Sequence, residues 1–252
     1  MKIIDALYKR KSTRQFSKIE IESDVIERIK KRLSGIEPFY KKGRYEVVVS
    51  EYRQNLDVAP YSVGIYTDGL KESEINAGYI LQQIAIYLSA IGVASCFRAK
   101  TLMLNQFNDK GLKLSVSLVF GYPKEGMYRD ENDIKRLPMK KICVIKEEMN
   151  KRIESVIESA RIAPSSYNVQ PWRFVVYNNR IHVFLKRKQI KNIEKYSYIN
   201  IGTMLGNIAV VTDEMWIDLR YKVIQGIKEK DYGDNEYIVS IYDRSSDENI
   251  WV

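Results

Sequence analysis

The spacing of apolar residues changes period along this chain, and each change predicts an element. Residues 3–9 form a short amphipathic stretch that leads into Ser12 and Thr13. Asp24 with Glu27 three residues on has the form of a capping box, which predicts a helix beginning at Asp24. Val25, Ile26, Ile29 and Leu33 would then share one face. Residues 45–50 (YEVVVS) and 62–66 (SVGIY) read as strands. Residues 75–90 (INAGYILQQIAIYLSA) are apolar all round and free of proline, as in a buried helix. Residues 114–120 (LSVSLVF) read as a strand closed by Gly121-Tyr122-Pro123. A further helix is predicted from about 150 to 160, and Pro164 ends the segment behind it. Residues 174–177 and 181–185 look like a hairpin around Asn178-Asn179, a pair that tolerates positive φ.

The second half of the chain echoes the first. Ile75-Asn76-Ala77-Gly78 recurs as Ile199-Asn200-Ile201-Gly202, and Val47-Val48-Val49 finds Phe174-Val175-Val176. Arg14-Gln15-Phe16-Ser17-Lys18 finds Arg136-Leu137-Pro138-Met139-Lys140. The near-constant offset and preserved order predict two diverged copies, residues 1–145 and 146–252. A repeat of this size is a fused pair rather than a solenoid.

Composition narrows the class. With 45% hydrophobic and 29% charged residues in 252, the chain is globular. No apolar run is long enough to span a membrane, and the N-terminus turns polar too soon for a secretory leader. The two cysteines, Cys96 and Cys143, form no CxxC pair, so neither a disulfide framework nor a zinc site is expected. A reducing cytoplasm follows. Of the net charge of +9, most lies in residues 1–44, with 13 Lys and Arg against 6 Asp and Glu. No nucleic-acid motif accompanies that excess, so it reads as a solvated surface plus a phosphate pocket rather than a nucleic-acid face.

Two clusters carry candidate chemistry. Arg10-Lys11-Ser12-Thr13-Arg14 places two guanidiniums around a hydroxyl, a set that can grip a phosphate. Ala163-Pro164-Ser165-Ser166-Tyr167-Asn168-Val169-Gln170-Pro171-Trp172-Arg173-Phe174 is a polar loop bracketed by prolines, suited to a planar polar ring. His182, the only histidine, sits in a strand pattern, and with no GxSxG it reads as structural. There is no GxGxxG, so no Rossmann domain is expected.

These strings resemble the FMN-dependent nitroreductases and flavin reductases. Arg10 to Phe16 is similar to that family's R-[RK]-S-x-R-x-F, and Pro164 to Phe174 to its P-S-S-x-N-x-Q-P-W-x-F. Ile91-Gly92-Val93-Ala94-Ser95-Cys96-Phe97 resembles its helix and Gly-containing loop. Gly121-Tyr122-Pro123 with Arg136-Leu137-Pro138 resembles its late G-Y-P and R-x-P. The family often has a lysine two residues before that arginine, where this chain has Ile134. The P-S-S-x-N loop ordinarily follows the N-terminal motif, but here residues 35–45 read GIEPFYKKGRY and the motif stands in the second half.

The resemblance implies an α+β fold of mainly antiparallel sheets flanked by helices, with the two halves acting as a pseudo-dimer around one FMN. It implies Arg10, Ser12 and Arg136 on the FMN phosphate, Lys11 near the ribityl chain and Arg14 near the pyrimidine edge. It implies Pro164, Ser165, Ser166 and Asn168 as contacts from the second half, and the backbone of Phe97, Arg98 and Ala99 near the reactive nitrogen. The implied reaction is ping-pong: NAD(P)H reduces FMN, and a nitroaromatic, quinone, flavin or other small acceptor reoxidises it, with no acid–base side chain required. A monomer would suffice, and neither nucleic acid nor membrane is an expected partner. Two other readings of the same fold are a flavin-binding protein without turnover and a basic interaction protein.

Overall fold

The structure is a computed structural model that describes residues 1–51, 59–99, 104–130, 133–187 and 194–244. The chain divides into two compact units, Met1–Ile134 and Lys135–Val252. The sequence placed the division between 145 and 146. It falls earlier because the short strand Cys143–Ile145 hydrogen-bonds in parallel to a strand of the second unit.

In the first unit, α1 (Ile3–Lys9) and α2 (Ser23–Ser34) precede β1 (Tyr45–Glu51) and β2 (Tyr61–Thr67). Then come α3 (Lys71–Ala90), β3 (Ala94–Arg98) and β4 (Lys113–Gly121). The four strands are antiparallel in the order β1-β2-β4-β3. The α3 helix is buried on nearly all sides, with Ile75, Leu81, Ile84, Ala85, Ile86 and Leu88 inaccessible to solvent. That is why its sequence shows no polar stripe. The expected capping box does not form at α2: the helix starts a residue earlier, with Glu22 at the N-cap and no side-chain cap bond. Glu22 instead accepts a hydrogen bond from the Tyr122 hydroxyl. Asp24 falls in the first turn, where it complements the helix dipole.

The second unit contains α4 (Met139–Ile142), β5 (Cys143–Ile145), α5 (Lys151–Arg161), β6 (Trp172–Val176) and β7 (Arg180–Lys186). These are followed by α6 (Ser197–Glu214), β8 (Leu219–Lys222), α7 (Gln225–Lys228) and β9 (Asn235–Asp243). The sheet order is β5-β6-β7-β9-β8, antiparallel except for β5 against β6. The Asn150 side chain caps α5 by accepting from the Ile153 N–H at 2.9 Å. The β6–β7 hairpin forms where expected, but neither Asn178 nor Asn179 takes positive φ. The Asn178 side chain donates to the Glu148 carbonyl at 2.9 Å and is tied down in that way.

Both units contain the run helix, strand, strand, helix, strand, strand: α2-β1-β2-α3-β3-β4 in one and, with the one-turn α7 inserted between the last two strands, α5-β6-β7-α6-β8-β9 in the other. The corresponding strands have the same spatial order, β1-β2-β4-β3 and β6-β7-β9-β8. The correspondence extends to an irregularity. Pairing slips one residue between Ile65 and Tyr66 against β4, and between Val183 and Phe184 against β9. The strand β5 lies outside the shared pattern.

The two central helices also share a device. Asn76 of α3 is fully buried, with Oδ1 accepting from the Tyr40 N–H and Nδ2 donating to the Tyr40 carbonyl, both at 2.8 Å. Asn200 of α6 is 2% exposed, and its Oδ1 accepts from the Ser166 N–H at 2.9 Å and from the Ser166 hydroxyl at 3.2 Å. Each asparagine thus pins a helix-to-strand loop of its unit, α2 to β1 in the first and α5 to β6 in the second. Gly43 is required in the first of these loops, because a Cβ there would lie 2.6 Å from Asn76 Nδ2.

Among the described residues, no helix is long and apolar enough to cross a membrane, and no group of three or more His, Cys, Asp or Glu could hold a metal ion.

Candidate functional site

In the first unit the basic cluster follows α1 as an extended strip stitched to its surroundings. Arg10 bridges Tyr128, Ser12 bridges Ser95 of β3, and Phe16 bridges Pro123. The Thr13 N–H donates to the Ser95 carbonyl at 3.0 Å. These bonds fix the backbone, so the side chains leave it in set directions.

Arg10 is 7% exposed, and its Nη1 has no hydrogen-bond partner. Arg129 lies beside it, with Nε donating to the Tyr8 carbonyl at 3.1 Å and its N–H to the Lys9 carbonyl at 2.9 Å. Burial, with Arg129 adding repulsion, lowers the Arg10 guanidinium to about 10, which still leaves it charged at neutral pH. Burial likewise lowers Arg129. The buried hydroxyls of Thr13, Ser89 and Ser95 are also without partners. A charge withdrawn from water without a counterion is expensive, and each unsatisfied buried donor costs about 1–3 kcal/mol. Arg10 Nη1, with Arg129 beside it and the orphaned hydroxyls of Thr13 and Ser95 on the same strip, leaves donors that lack an acceptor. A phosphate dianion, with three acceptor oxygens, fits that set.

Lys11, Ser12 and Arg14 are exposed. At the end of β3, Phe97 is half-buried while Arg98 and Ala99 are exposed. Arg129 carried no recognisable pattern in the sequence: it is one arginine in a mixed-charge connector, and only folding brings it to Arg10.

In the second unit, residues 164–171 form a loop with three non-glycine residues in the left-handed region, Tyr167 (φ 52°), Asn168 (φ 58°) and Gln170 (φ 47°). Each such residue costs about 1–2 kcal/mol, so surrounding bonds must enforce the shape. The Ser165 hydroxyl accepts from the Gln170 N–H at 3.0 Å, and Gln170 Oε1 accepts from the Leu137 N–H at 2.7 Å. Thr203 Oγ1 donates to the Pro164 carbonyl at 2.7 Å. Asn168 Nδ2 donates to the Lys135 carbonyl at 3.0 Å.

Arg136 belongs to this bracing. Its Nε donates to the carbonyls of Ile162 (3.3 Å) and Ala163 (3.0 Å), and its Nη1 to Asn168 Oδ1 at 3.0 Å. The resemblance implies Arg136 on a phosphate and Pro164, Ser165, Ser166 and Asn168 as cofactor contacts from the second half. Their polar atoms brace the loop, and Gln170 and Asn200, which lie outside the predicted ligand set, complete the framework. Tyr167 stands 80% exposed at the tip. His182 is 8% exposed, and its Nδ1 hydrogen-bonds to Ser240 Oγ at 2.6 Å, inside the sheet.

A family model described as "Putative TM nitroreductase" matches residues 2–211. A "putative nitroreductase" of Thermotoga maritima has a crystal structure that aligns with TM-score 0.66 at 18% identity, covering 96% of this chain and 94% of that one. At that identity the likeness is one of fold. A nitroreductase of Desulfitobacterium hafniense with bound FMN covers 55% of this chain and 100% of its own at 12% identity, with TM-score 0.43, too distant to argue from. An oxygen-insensitive NADPH nitroreductase of Helicobacter acinonychis (strain Sheeba) is 42% identical over 52 residues, which are 20% of this chain and 21% of that protein. The match thus spans about a fifth of that relative's length. With a family model matching from residue 2 to residue 211, the chain belongs to the nitroreductase family that the model describes.

Proposed function

We propose that this protein is a cytoplasmic FMN-dependent oxidoreductase that uses NAD(P)H to reduce a small acceptor such as a nitroaromatic, a quinone or a flavin. The observation that carries this reading is Arg10, buried, charged, without a partner on Nη1 and set beside Arg129. Together with the two family strings, that donor set supports a flavin mononucleotide held by its phosphate.

Arg10 and Arg129 would supply the charge, with the hydroxyls of Ser12, Thr13 and Ser95 as further donors. Arg14, exposed on the same strip, is the cation available to the pyrimidine edge. Lys11, Phe97, Arg98 and Ala99 are accessible enough to meet the same ligand. The second-unit loop is rigid, with its hydroxyls and amides engaged in bonds inside its own unit. Bound FMN would supply the redox chemistry, taking two electrons from NAD(P)H and passing them to the acceptor in a second half-reaction. No acid–base side chain is assigned.

The matching topologies support an origin by duplication in which the phosphate-gripping string persists in the first copy and the Ser-Ser-x-Asn string in the second. The test is the visible spectrum of the purified protein, followed under anaerobic conditions as NADH or NADPH is added and then a quinone. Flavin bands that bleach and return support the proposal. Bands that persist with both nicotinamides favour a flavin-binding protein without turnover. A colourless protein that takes up no FMN overturns it.

A further inference from the structure

A second feature lies in the second unit, in a cavity of about 510 Å3 within the usual range for small-ligand sites. Its walls come from the α4–β5 corner, from β6 and β7, and from the bend before β9. Lys140, Lys141, Arg173 and Lys186 line it, against one acid, Asp234.

Among the described residues, three of these cations meet no counterion. The ammonium groups of Lys140 and Lys141 are exposed and meet no carboxylate among the described residues. Arg173 is held by Nη1, which donates to the carbonyls of Gln170 (2.9 Å) and Trp172 (2.6 Å). Those bonds orient the guanidinium without neutralising it. Its charged neighbour would be Cys143, but burial pushes that thiol up to about 12, so it stays neutral. The guanidinium is a preorganised fork for a planar anion.

Apart from Asn235, the rest of the lining is mainly apolar. The Phe184 and Tyr232 rings meet edge to face, with centroids 4.9 Å apart. Val144, 54% exposed on β5, and Val175 add aliphatic surface. Inorganic anions have no use for such a lining, whereas an aromatic acid uses both parts.

We propose that this cavity is a second ligand site, one that binds a small planar aromatic carboxylate. The carboxylate meets Arg173 with Lys140 and Lys141, and the ring lies against Phe184, Tyr232 and the valines. Arg173 also holds the Gln170 carbonyl, so the ligand is linked to the base of the 164–171 loop through that guanidinium. This site goes beyond the redox reading, and its test does not depend on turnover.

The experiment is calorimetric titration of the FMN-saturated full-length chain with 2-naphthoate, with neutral 2-naphthamide and inorganic phosphate as comparisons. A Lys140→Glu/Lys141→Glu variant places the binding, and its flavin content serves as the check on folding. The expected result is one saturable naphthoate site, bound about tenfold tighter than the amide and weakened about tenfold in the double variant with flavin content unchanged. Three results would overturn the proposal. These are equal binding of acid and amide, naphthoate binding that the double variant leaves unchanged, and displacement of naphthoate by phosphate at equal affinity. The second would place the acid elsewhere on the protein. The third would reduce the cavity to an unspecific anion trap.

Discussion

Replacing Arg10 by methionine should have opposite effects on the empty and the flavin-bound protein. The side chain is 7% exposed, its Nη1 has no partner, and Arg129 repels it. In the cofactor-free protein, an unsatisfied buried donor and an uncompensated charge are both removed. Methionine refills much of the volume without a polar group. The cofactor-free variant should gain about 1–2 kcal/mol of stability, the size of one relieved unsatisfied donor. With FMN the balance reverses, because the guanidinium at about 10 is charged at pH 7 and would pair with a phosphate dianion. Losing one charge-assisted contact costs about 2–3 kcal/mol, or about 30- to 150-fold in affinity. Urea unfolding of flavin-free protein measures the first effect, and quenching of FMN fluorescence on titration measures the second. A cofactor-free variant less stable than wild type would mean that Arg10 is an ordinary structural residue. An FMN affinity within about threefold of wild type would refute the phosphate assignment.

The two pinning asparagines should differ in their contribution to stability. Asn76→Ala should cost about 1–3 kcal/mol in urea, since it strands the half-buried Tyr40 N–H and carbonyl, and Asn200→Ala should cost less, because it also removes Nδ2, a buried donor without a partner. Equal losses for the two variants would contradict this accounting of their hydrogen bonds. A pH effect follows from His182, whose imidazole burial and Arg180 hold below the ordinary value of 6.5. The unfolded chain therefore takes up the proton first as pH falls. The stability contribution is complete above about pH 6.5 and is lost below it, with a slope of up to about 1.4 kcal/mol per pH unit. His182→Gln should flatten that slope between pH 6.5 and 5, whereas parallel curves for the two proteins would show that His182 does not titrate in this way.

The helices and strands with clean periods were legible in the sequence: residues 75–90, 45–50, 62–66 and 114–120 all lie within the observed α3, β1, β2 and β4. The short strand β5 was not, because three residues carry no period and its pairing with β6 is long-range. The capping box failed because its reading rested on Asp24 and Glu27 alone, while the true N-cap, Glu22, is drawn to Tyr122, a hundred residues away. Within the candidate site, strings of adjacent residues showed where chemistry concentrates, but not which atoms would be used up in holding a shape. Ser165, Ser166 and Asn168 brace a loop with three left-handed residues, and no local pattern announces that strain. Arg129 gave no signal at all, because its role comes from where the fold brings it.

The phosphate grip occurs once. Two arginines around Ser12 stand in the first unit, and the stretch with which they align, Arg136-Leu137-Pro138-Met139-Lys140-Lys141, has no serine between two arginines. Its one arginine is engaged by the loop carbonyls of Ile162 and Ala163. A second phosphate in the second unit would therefore lack the donors that bind it tightly, and two FMN should not be held by one chain. The deciding measurement is flavin released by denaturing FMN-saturated protein, quantified against chain concentration. One FMN per chain is expected, falling well below one at the same free FMN when Arg10 is replaced. Two FMN per chain, or one that persists undiminished without Arg10, would contradict the single phosphate grip built on Arg10 and Arg129.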